Sequence, residues 1–392
     1  MSERTIAVVG GGIAGLATAV ALRRVGLRAE VFEQTRHLRE VGAGVQLAPQ
    51  AVRLLRGWGL GGHLDKVSVH PEALEMRGWN DNRVIGRTTL GEECVDLYGA
   101  PYLTVHRADL HRGFLESVPE GTVHLGSRCV AVTERRDSVE LRFEDGTTHT
   151  ADLVVGADGI HSVVRNSLAV DEPRFSGQVI YRALIPSDRL PFLPAVPKVV
   201  LWLGPGQHAV CYPVSRGASL SVGFTVPSPT GKAESWSAKG DVSEVVAAYA
   251  GWHEEVRAIA AAAEEVSQWA LHDRDAIEHW STDRITIVGD AAHPMLPFMA
   301  QGANQAIEDA AALAACLSAD PDAPDAALRR YETARRERTA LIQRRSRANS
   351  RVLHLEDGAE QRERDLVLRG QANLRDQAWL YGFQAEHELP PL

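Results

Sequence analysis

Apolar and polar positions change period several times along the chain, and each change predicts an element. Thr5-Ile6-Ala7-Val8-Val9 is an apolar run too short for a helix, and Gly10-Gly11-Gly12 bounds it. An amphipathic run follows from Ile13 to about Val25, where Gly26 supplies a helix stop. Ala29-Glu30-Val31-Phe32 is a second apolar strand closing on Glu33, and Glu40–Leu47 is a glycine-rich loop. Pro49–Trp58 has helical spacing, whereas residues 72–105 alternate like strands around the turn signals Asn80-Asp81-Asn82. A helix is expected over Arg107–Leu115. Strands are expected over Ser138–Phe143 and Leu153–Val155, with Asp145-Gly146 as the hairpin turn between them.

Residues 175–226 read as antiparallel sheet: Val199–Leu203, Ala209–Pro213 and Ser219–Val226, separated by Gly-containing turns. Ser228–Gly240, rich in Pro, Ser and Gly, predicts a surface loop, and Val242–Ala263 predicts helices broken near Gly251. Arg284–Val288 is a buried strand, Met295–Asn304 a loop, and Gln305 to about Leu317 a helix. Strands alternating with helices at both ends of this region, around an antiparallel middle, make the fold class α/β. Residues 1–70, 101–174 and 276–320 form a discontinuous nucleotide-binding domain on this reading. Residues 71–100 and 175–275 form an inserted substrate-binding sheet domain, and 321–392 a C-terminal helical segment.

Composition narrows the function. A net charge of −9 argues against nucleic acid as a main partner. The cysteines at 94, 129, 211 and 316 are far apart, so neither a disulfide framework nor a thiolate metal site is expected, and a reducing cytoplasm suits them. Residues 5–22 are uncharged and could be read as a membrane span with Gly11 and Gly15 as packing positions, but three successive glycines break such a helix. No basic segment precedes an apolar core in the manner of a secretory signal. Nine arginines between Arg329 and Arg351, interleaved with Glu332 and Glu337, predict a solvated helix face.

Three stretches carry chemistry. The first is strand, Gly10-x-Gly12-x-x-Gly15, helix, strand and an acid about 20 residues on, the dinucleotide-binding βαβ pattern. Gly10 permits the tight turn, Gly12 lets backbone approach a pyrophosphate, Gly15 lets helix and strand pack, and Glu33 would accept hydrogen bonds from a ribose. The second is Gly156-Ala157-Asp158-Gly159, alone a plain Asp-Gly turn and beside the first pattern a second nucleotide contact. The third is Gly289-Asp290-Ala291-Ala292-His293-Pro294, which sets a carboxylate at the carboxyl edge of a buried strand. The helix beginning near Gly302–Asn304 points its positive end to the same place, suiting an anionic ring system. In the antiparallel region His208, Val210 and Tyr212 share one strand face. A His and a Tyr side by side could serve a phenol as base and hydrogen-bond partner, or form a buried structural pair.

With these three motifs in this order, the chain resembles the FAD-dependent aromatic hydroxylases, the flavoprotein monooxygenases of the p-hydroxybenzoate hydroxylase type. Val41-Gly42-Ala43-Gly44-Val45-Gln46, Met295–Asp309 and Trp379-Leu380-Tyr381-Gly382-Phe383 are most similar to the salicylate, 3-hydroxybenzoate and hydroxynicotinate monooxygenases. The resemblance implies a Rossmann-like FAD-binding domain of the GR2 type, FAD as cofactor, NADH or NADPH as transient reductant, and O2 and a small aromatic acid as substrates. It implies a monomer or homodimer without membrane or nucleic-acid partners. It assigns Gly10, Gly12, Gly15 and Glu33 to the ADP part of FAD, Arg107 to the flavin side, and Asp158 to FAD and the passing nicotinamide. Asp290 falls to the ribityl region, and Pro297, Gly302, Ala303 and Asn304 to the isoalloxazine ring. His208 and Tyr212 fall to the substrate's ring hydroxyl. The implied reaction is hydroxylation of a phenolic or heteroaromatic acid through a flavin C4a-hydroperoxide, with or without decarboxylation, and His208 as its base would titrate near neutral pH. Two positions depart from the family: Gln46, where the hydroxynicotinate enzymes have a His, and Gln384, where an Asp is usual. A flavin oxidase or dehydrogenase on the same fold, inserting no oxygen, is the alternative. A flavin-dependent halogenase is not indicated, since no W-x-W-x-I-P motif occurs.

Overall fold

The computed structural model describes residues 4–38, 43–193, 196–229, 239–370 and 373–390. The expectations for Glu40-Val41-Gly42 and for most of Ser228–Gly240 lie outside the described residues. At the centre is a five-stranded parallel sheet in the order Ile285–Ile287, Leu153–Gly156, Ile6–Val9, Ala29–Glu33, Val123–Leu125. Of its three inner strands, Ile6–Val9 and Leu153–Gly156 are apolar throughout because helices cover both faces. Helix Ile13–Arg24 is not the amphipathic helix expected: it is buried on nearly every side between this sheet and helix Gly302–Ala319, and it carries almost no polar stripe. Val25 and Gly26 end it, Gly26 at φ 82°.

The second layer is an eight-stranded sheet, Lys239–Gly240, Val266–Asp273, Arg174–Pro186, Ser219–Pro227, Gln207–Val214, Lys198–Gly204, Ala73–Gly78, Val84–Thr89. Its alternation sorts side chains cleanly. Val179, Tyr181, Ala183, Val200, Trp202, Cys211, Val222 and Phe224 face outward under helices Val242–Ala248 and Glu254–Ala262. Ile180, Leu184, Leu203 and Tyr212 pack on the other face, toward the first layer.

Several sequence expectations need correction. The sheet is antiparallel except between Lys198–Gly204 and Ala73–Gly78, which run parallel. Within the region read as alternating strands, Gly91–Tyr98 is a helix. Leu90, Cys94 and Tyr98 recur every fourth residue and pack into one cluster, a helical period that the flanking strands mask. Asp145-Gly146 joins Val139–Phe143 to Thr148–Ala151, and Leu153–Gly156 leaves that hairpin for the parallel sheet. In the glycine-rich loop Gly44–Leu47 is a strand paired with Leu103–His106.

The Arg-rich helix, Pro324–Leu353, is not a purely solvated face. Arg335 is fully buried and bonds Glu308 at 2.6 Å, Asp309 at 2.8 Å and the Gln305 side chain at 2.7 Å. Burial alone would raise the Asp309 carboxyl, but His293 and Arg335 hold it down at about 2. Against an unfolded value of about 3.9, this contributes stability present above about pH 4 and lost as pH falls through about pH 2. Thermal unfolding across that range should therefore fall more steeply for the native chain than for Asp309→Asn, which starts lower. Parallel curves would contradict this pairing.

Candidate active site

The three motifs meet where the parallel sheet ends. A Cβ at Gly10 would lie 2.3 Å from Ala157 O, and one at Gly289 would lie 2.7 Å from Ala14 Cβ. Only glycines allow the first turn to rest on the second motif and the third on the first helix; both also have positive φ. Arg165, fully buried, ties the second motif to the third by donating to the carbonyls of Ala291 and Ala292, each at 2.9 Å.

Around this junction, donors point into open space. A Cβ on Gly12 would meet nothing within 4 Å, and no side chain caps the helix that starts there. Glu33 accepts from Gly11 N at 2.7 Å through one carboxylate oxygen and from Thr35 N at 2.8 Å through the other. Each oxygen keeps capacity for a second donor such as a ribose hydroxyl. Asp158 is committed locally: its carboxylate accepts from the Ser162 hydroxyl and from Val163 N at 2.7 Å, which starts the short helix Val163–Asn166.

At the other end, Asp290 opens into the cleft while protein surrounds it on most sides. Desolvation there pushes its carboxyl up, against the pull of His293 and Arg107. Arg107, whose N–H bonds Ala43 O at 2.8 Å, therefore brings positive charge to this end. Helix Gly302–Ala319 has no side-chain cap at Gln301, so the first-turn amides at Gly302 and Ala303 remain for a ligand. Half-buried Pro297 and Ala300 bound the same loop, and Ala300 sits at φ 52°, a strained position for alanine. Asn304 holds it there. Its side chain bonds Ala300 O at 2.7 Å, Gln46 O at 3.0 Å and Ala48 N at 2.8 Å, knitting loop, strand and helix together. Asn304→Ala should lower stability by about 1–3 kcal/mol and speed flavin release, read by thermal melts and flavin fluorescence; unchanged release would show that the loop holds itself.

The inner face of the large sheet closes the cleft. His208 and Tyr212 share that face, as their spacing predicts, and Phe298 of the Pro297 loop packs edge-on against His208 with centroids 5.6 Å apart. One expectation fails here. His208 does not titrate near neutrality: burial, and then the neighbouring His354, push its pKa well below the usual value, so the ring is neutral. Burial raises the Tyr212 hydroxyl, which reaches Ser221 and Gln46. Gln46 Oε1 in turn accepts from Tyr102 OH at 2.7 Å.

Sequence reasoning missed Tyr102, Ser221, Arg182 and His354. Arg182 is half-buried on the inner face, two residues from Ile180 and Leu184, and shares electrostatic interactions with Tyr212 and Arg107. The strand alternation that singled out His208 would also have found Arg182. Tyr102 and His354 come from elements far apart in sequence, and no local pattern marks them. The closing segment lies over this region. Tyr381 packs on Tyr98 and Tyr102, and Arg53 donates to the carbonyls of Tyr381 and Phe383 at 3.0 and 2.7 Å. Gln384 is exposed beyond it.

The residues fit FAD: an uncapped helix with room at Gly12 for a diphosphate, a carboxylate for a ribose, and a second uncapped helix for the ring. Among the described residues no cluster of His, Cys, Asp and Glu could hold a metal, and no helix is long and apolar enough to cross a membrane.

Comparison with known proteins agrees with this arrangement. The profile of a family described as FAD binding domain matches residues 3–346. A 3-amino-4-hydroxybenzoate 2-monooxygenase of Streptomyces platensis is 49% identical over 97% of this chain and 96% of its own length. A 6-hydroxynicotinate 3-monooxygenase of Bordetella bronchiseptica is 37% identical over 88% of this chain and 91% of its own. Among solved structures, Klebsiella pneumoniae HpxO complexed with FAD and uric acid superposes with a TM-score of 0.87 at 26% identity, covering 99% of this chain and 98% of that one. The chain therefore belongs to the FAD binding domain family and is a flavoprotein aromatic monooxygenase of the p-hydroxybenzoate hydroxylase type.

Proposed function

We propose that this enzyme hydroxylates an aminohydroxybenzoate, with 3-amino-4-hydroxybenzoate the first candidate, at the expense of NADH or NADPH and O2. The observation that carries this reading is the contact between Phe298, beside the flavin loop, and His208, on the strand face that also bears Tyr212. It brings the place for a flavin ring against two groups able to handle a ring hydroxyl or amine. The 49% identity to a 3-amino-4-hydroxybenzoate 2-monooxygenase supports the substrate class.

FAD, when bound, supplies the activated oxygen, and the protein supplies orientation and electrostatics. Gly10, Gly12, Gly15 and Glu33 hold the ADP part, Asp158 supports that end, and Arg107 and Asp290 flank the middle of the cofactor. Pro297 and the amides of Gly302, Ala303 and Asn304 would border the flavin ring, where the positive helix end would stabilise negative charge. His208 and Tyr212 are the catalytic residues. A ring carbon ortho or para to a hydroxyl gains nucleophilicity when that hydroxyl gives up its proton, which His208, neutral, can accept, whereas a ring amine activates its ortho and para carbons through the nitrogen lone pair and keeps its protons. Tyr212, with its hydroxyl held by Gln46 and Ser221, donates to the ring substituent. Arg182 offers the carboxylate its counter-charge. The buried sheet face and the Tyr98–Tyr102–Tyr381 cluster keep water from the reacting oxygen.

The test is a panel of hydroxylated aromatic acids presented to the yellow protein, following NAD(P)H oxidation and product mass together. The reading predicts that 3-amino-4-hydroxybenzoate both accelerates oxidation and gains one oxygen atom. Acceleration only by 3-hydroxybenzoate or 6-hydroxynicotinate would reassign the substrate. Oxidation with peroxide as the only product would favour an oxidase.

A further inference from the structure

His208 has a partner from the far end of the chain. Its Nδ1 lies 2.7 Å from Nε2 of His354, the residue that ends helix Pro324–Leu353. The two rings meet edge to edge and close to coplanar, with centroids 5.0 Å apart and 24° between planes. Phe298 closes edge-on against both, 5.6 Å from His208 and 5.4 Å from His354. Thr225 Oγ1 sits beside the junction, 3.1 Å from His208 Nδ1 and 3.4 Å from His354 Nε2. The surroundings of the two rings differ. His208 is 5% exposed on the inner sheet face, whereas His354 is half-buried and lines an open groove of about 640 Å³ with Gln178, Gly206, Arg347 and Arg351. Among the described residues neither His208 Nε2 nor His354 Nδ1 makes a hydrogen bond.

We propose that His208 and His354 form a two-imidazole proton relay that carries the proton of the substrate's ring hydroxyl from the reaction face to the groove. The proposal rests on the role given to His208 above and adds His354 as a positioning residue that never touches substrate. In the receptive state each ring carries its proton on Nδ1, and His208 donates to His354 Nε2. The hydroxyl proton passes to His208 Nε2, the Nδ1 proton of His208 passes to His354 Nε2, and the Nδ1 proton of His354 passes to water in the groove. One proton enters, one leaves, and neither ring holds net charge afterwards. A proton returning along the same path when product leaves as the neutral phenol restores both tautomers.

The electrostatics suit conduction rather than storage. Burial lowers both imidazoles, His354 to about 4, so both are neutral in the pH range where enzymes work. The charged groups facing His354 are largely matched. Arg347 pairs with Asp273 at 2.8 Å and Asp275 at 2.9 Å, Arg351 with Glu360 at 2.9 Å, and Arg174 with Asp273 at 3.4 Å, while Glu356 lines the groove opposite. Around the His208 ring the facing groups are Thr225, Phe298 and His354, while Tyr249, from the opposite face of the sheet, donates to the His208 backbone carbonyl at 2.6 Å.

The experiment mixes FAD-loaded enzyme with 3-amino-4-hydroxybenzoate, 3-hydroxybenzoate or 6-hydroxynicotinate in weak buffer containing a pH indicator, without reductant. Proton release is timed against binding. His354→Phe keeps the ring packing on Phe298 and should retain flavin and ligand affinity while slowing proton release about tenfold or more. His354→Ala should behave alike and recover when free imidazole, able to enter from the groove, is added. The native rate should be flat above about pH 5 and fall as pH drops through about 4, where His354 becomes charged and can no longer accept. Native-speed release in His354→Phe, or no imidazole rescue of His354→Ala, overturns the relay while leaving the substrate reading intact. If none of the acids binds, the substrate reading fails and the relay fails with it.

Discussion

Gly15→Val is expected to yield a colourless protein. A Cβ at this position would stand 1.9 Å from Gly10 O and 3.3 Å from Val8 Cγ1. The nearer obstacle is backbone, so no side-chain rotation relieves it, and helix and strand must part. That separation moves the uncapped amides near Gly12 away from a diphosphate and costs several kcal/mol, on the order of the largest single-residue effects. Gly12→Ala is the contrasting case. Its Cβ meets nothing within 4 Å, and the backbone there is extended at φ −74°, so apo-protein stability should stay within about 0.5 kcal/mol of native. The added methyl nonetheless occupies the space a pyrophosphate needs, and flavin affinity should fall about a hundredfold. The ratio of flavin to protein absorbance and the melting temperature of the apo-protein separate the two. A yellow Gly15→Val, or native flavin affinity in Gly12→Ala, would contradict the geometry at this helix.

The contrast also shows why part of this protein was legible in its sequence. The parallel sheet was readable because Ile6–Val9 and Leu153–Gly156 are buried on both faces and so are apolar without alternation, and because Ile285–Ile287, with its one buried Thr286, is flanked by Val288 and the Gly289 turn. The glycines that join them were readable because close backbone contact admits no other residue. Helix Gly91–Tyr98 was hidden by the strands on either side of it. Gly44–Leu47 reads as loop because its glycine permits Tyr212 and Ser221 to approach, a Cβ there lying 2.4 Å from Tyr212 Cε2. Arg335 was misread because a lone arginine in an Arg-rich helix gives no sign that Glu308 and Asp309 face it. The His208–His354 contact spans 146 positions and depends on where the long helix ends, which no periodicity fixes. The near-neutral titration expected of His208 failed for the same reason: desolvation is a property of packing.

His208→Ala carries the second large effect. The substitution removes the proton acceptor proposed above and leaves the backbone bonds of this strand, including the Tyr249 contact with the His208 carbonyl, untouched. Flavin content should be native, because His208 sits on strand Gln207–Val214 and meets the Pro297 loop only through the ring of Phe298. Ring oxidation should fall about 10²–10⁴-fold, the usual worth of a positioned acid–base group, while reduction of the flavin by NAD(P)H stays near native. Rapid-mixing kinetics read the two half-reactions separately. Loss of flavin on this substitution would make His208 structural, and a native oxidation rate would remove it from the chemistry.

The central claim is that three segments distant in sequence converge on one flavin and that the sheet face opposite presents an aromatic acid to it. Isotopic oxygen tests this most directly. With the native enzyme, NADH or NADPH, 3-amino-4-hydroxybenzoate and ¹⁸O₂, the product is predicted to carry a single ¹⁸O atom, one for each nicotinamide consumed. Unlabelled organic product accompanied by labelled hydrogen peroxide would contradict it.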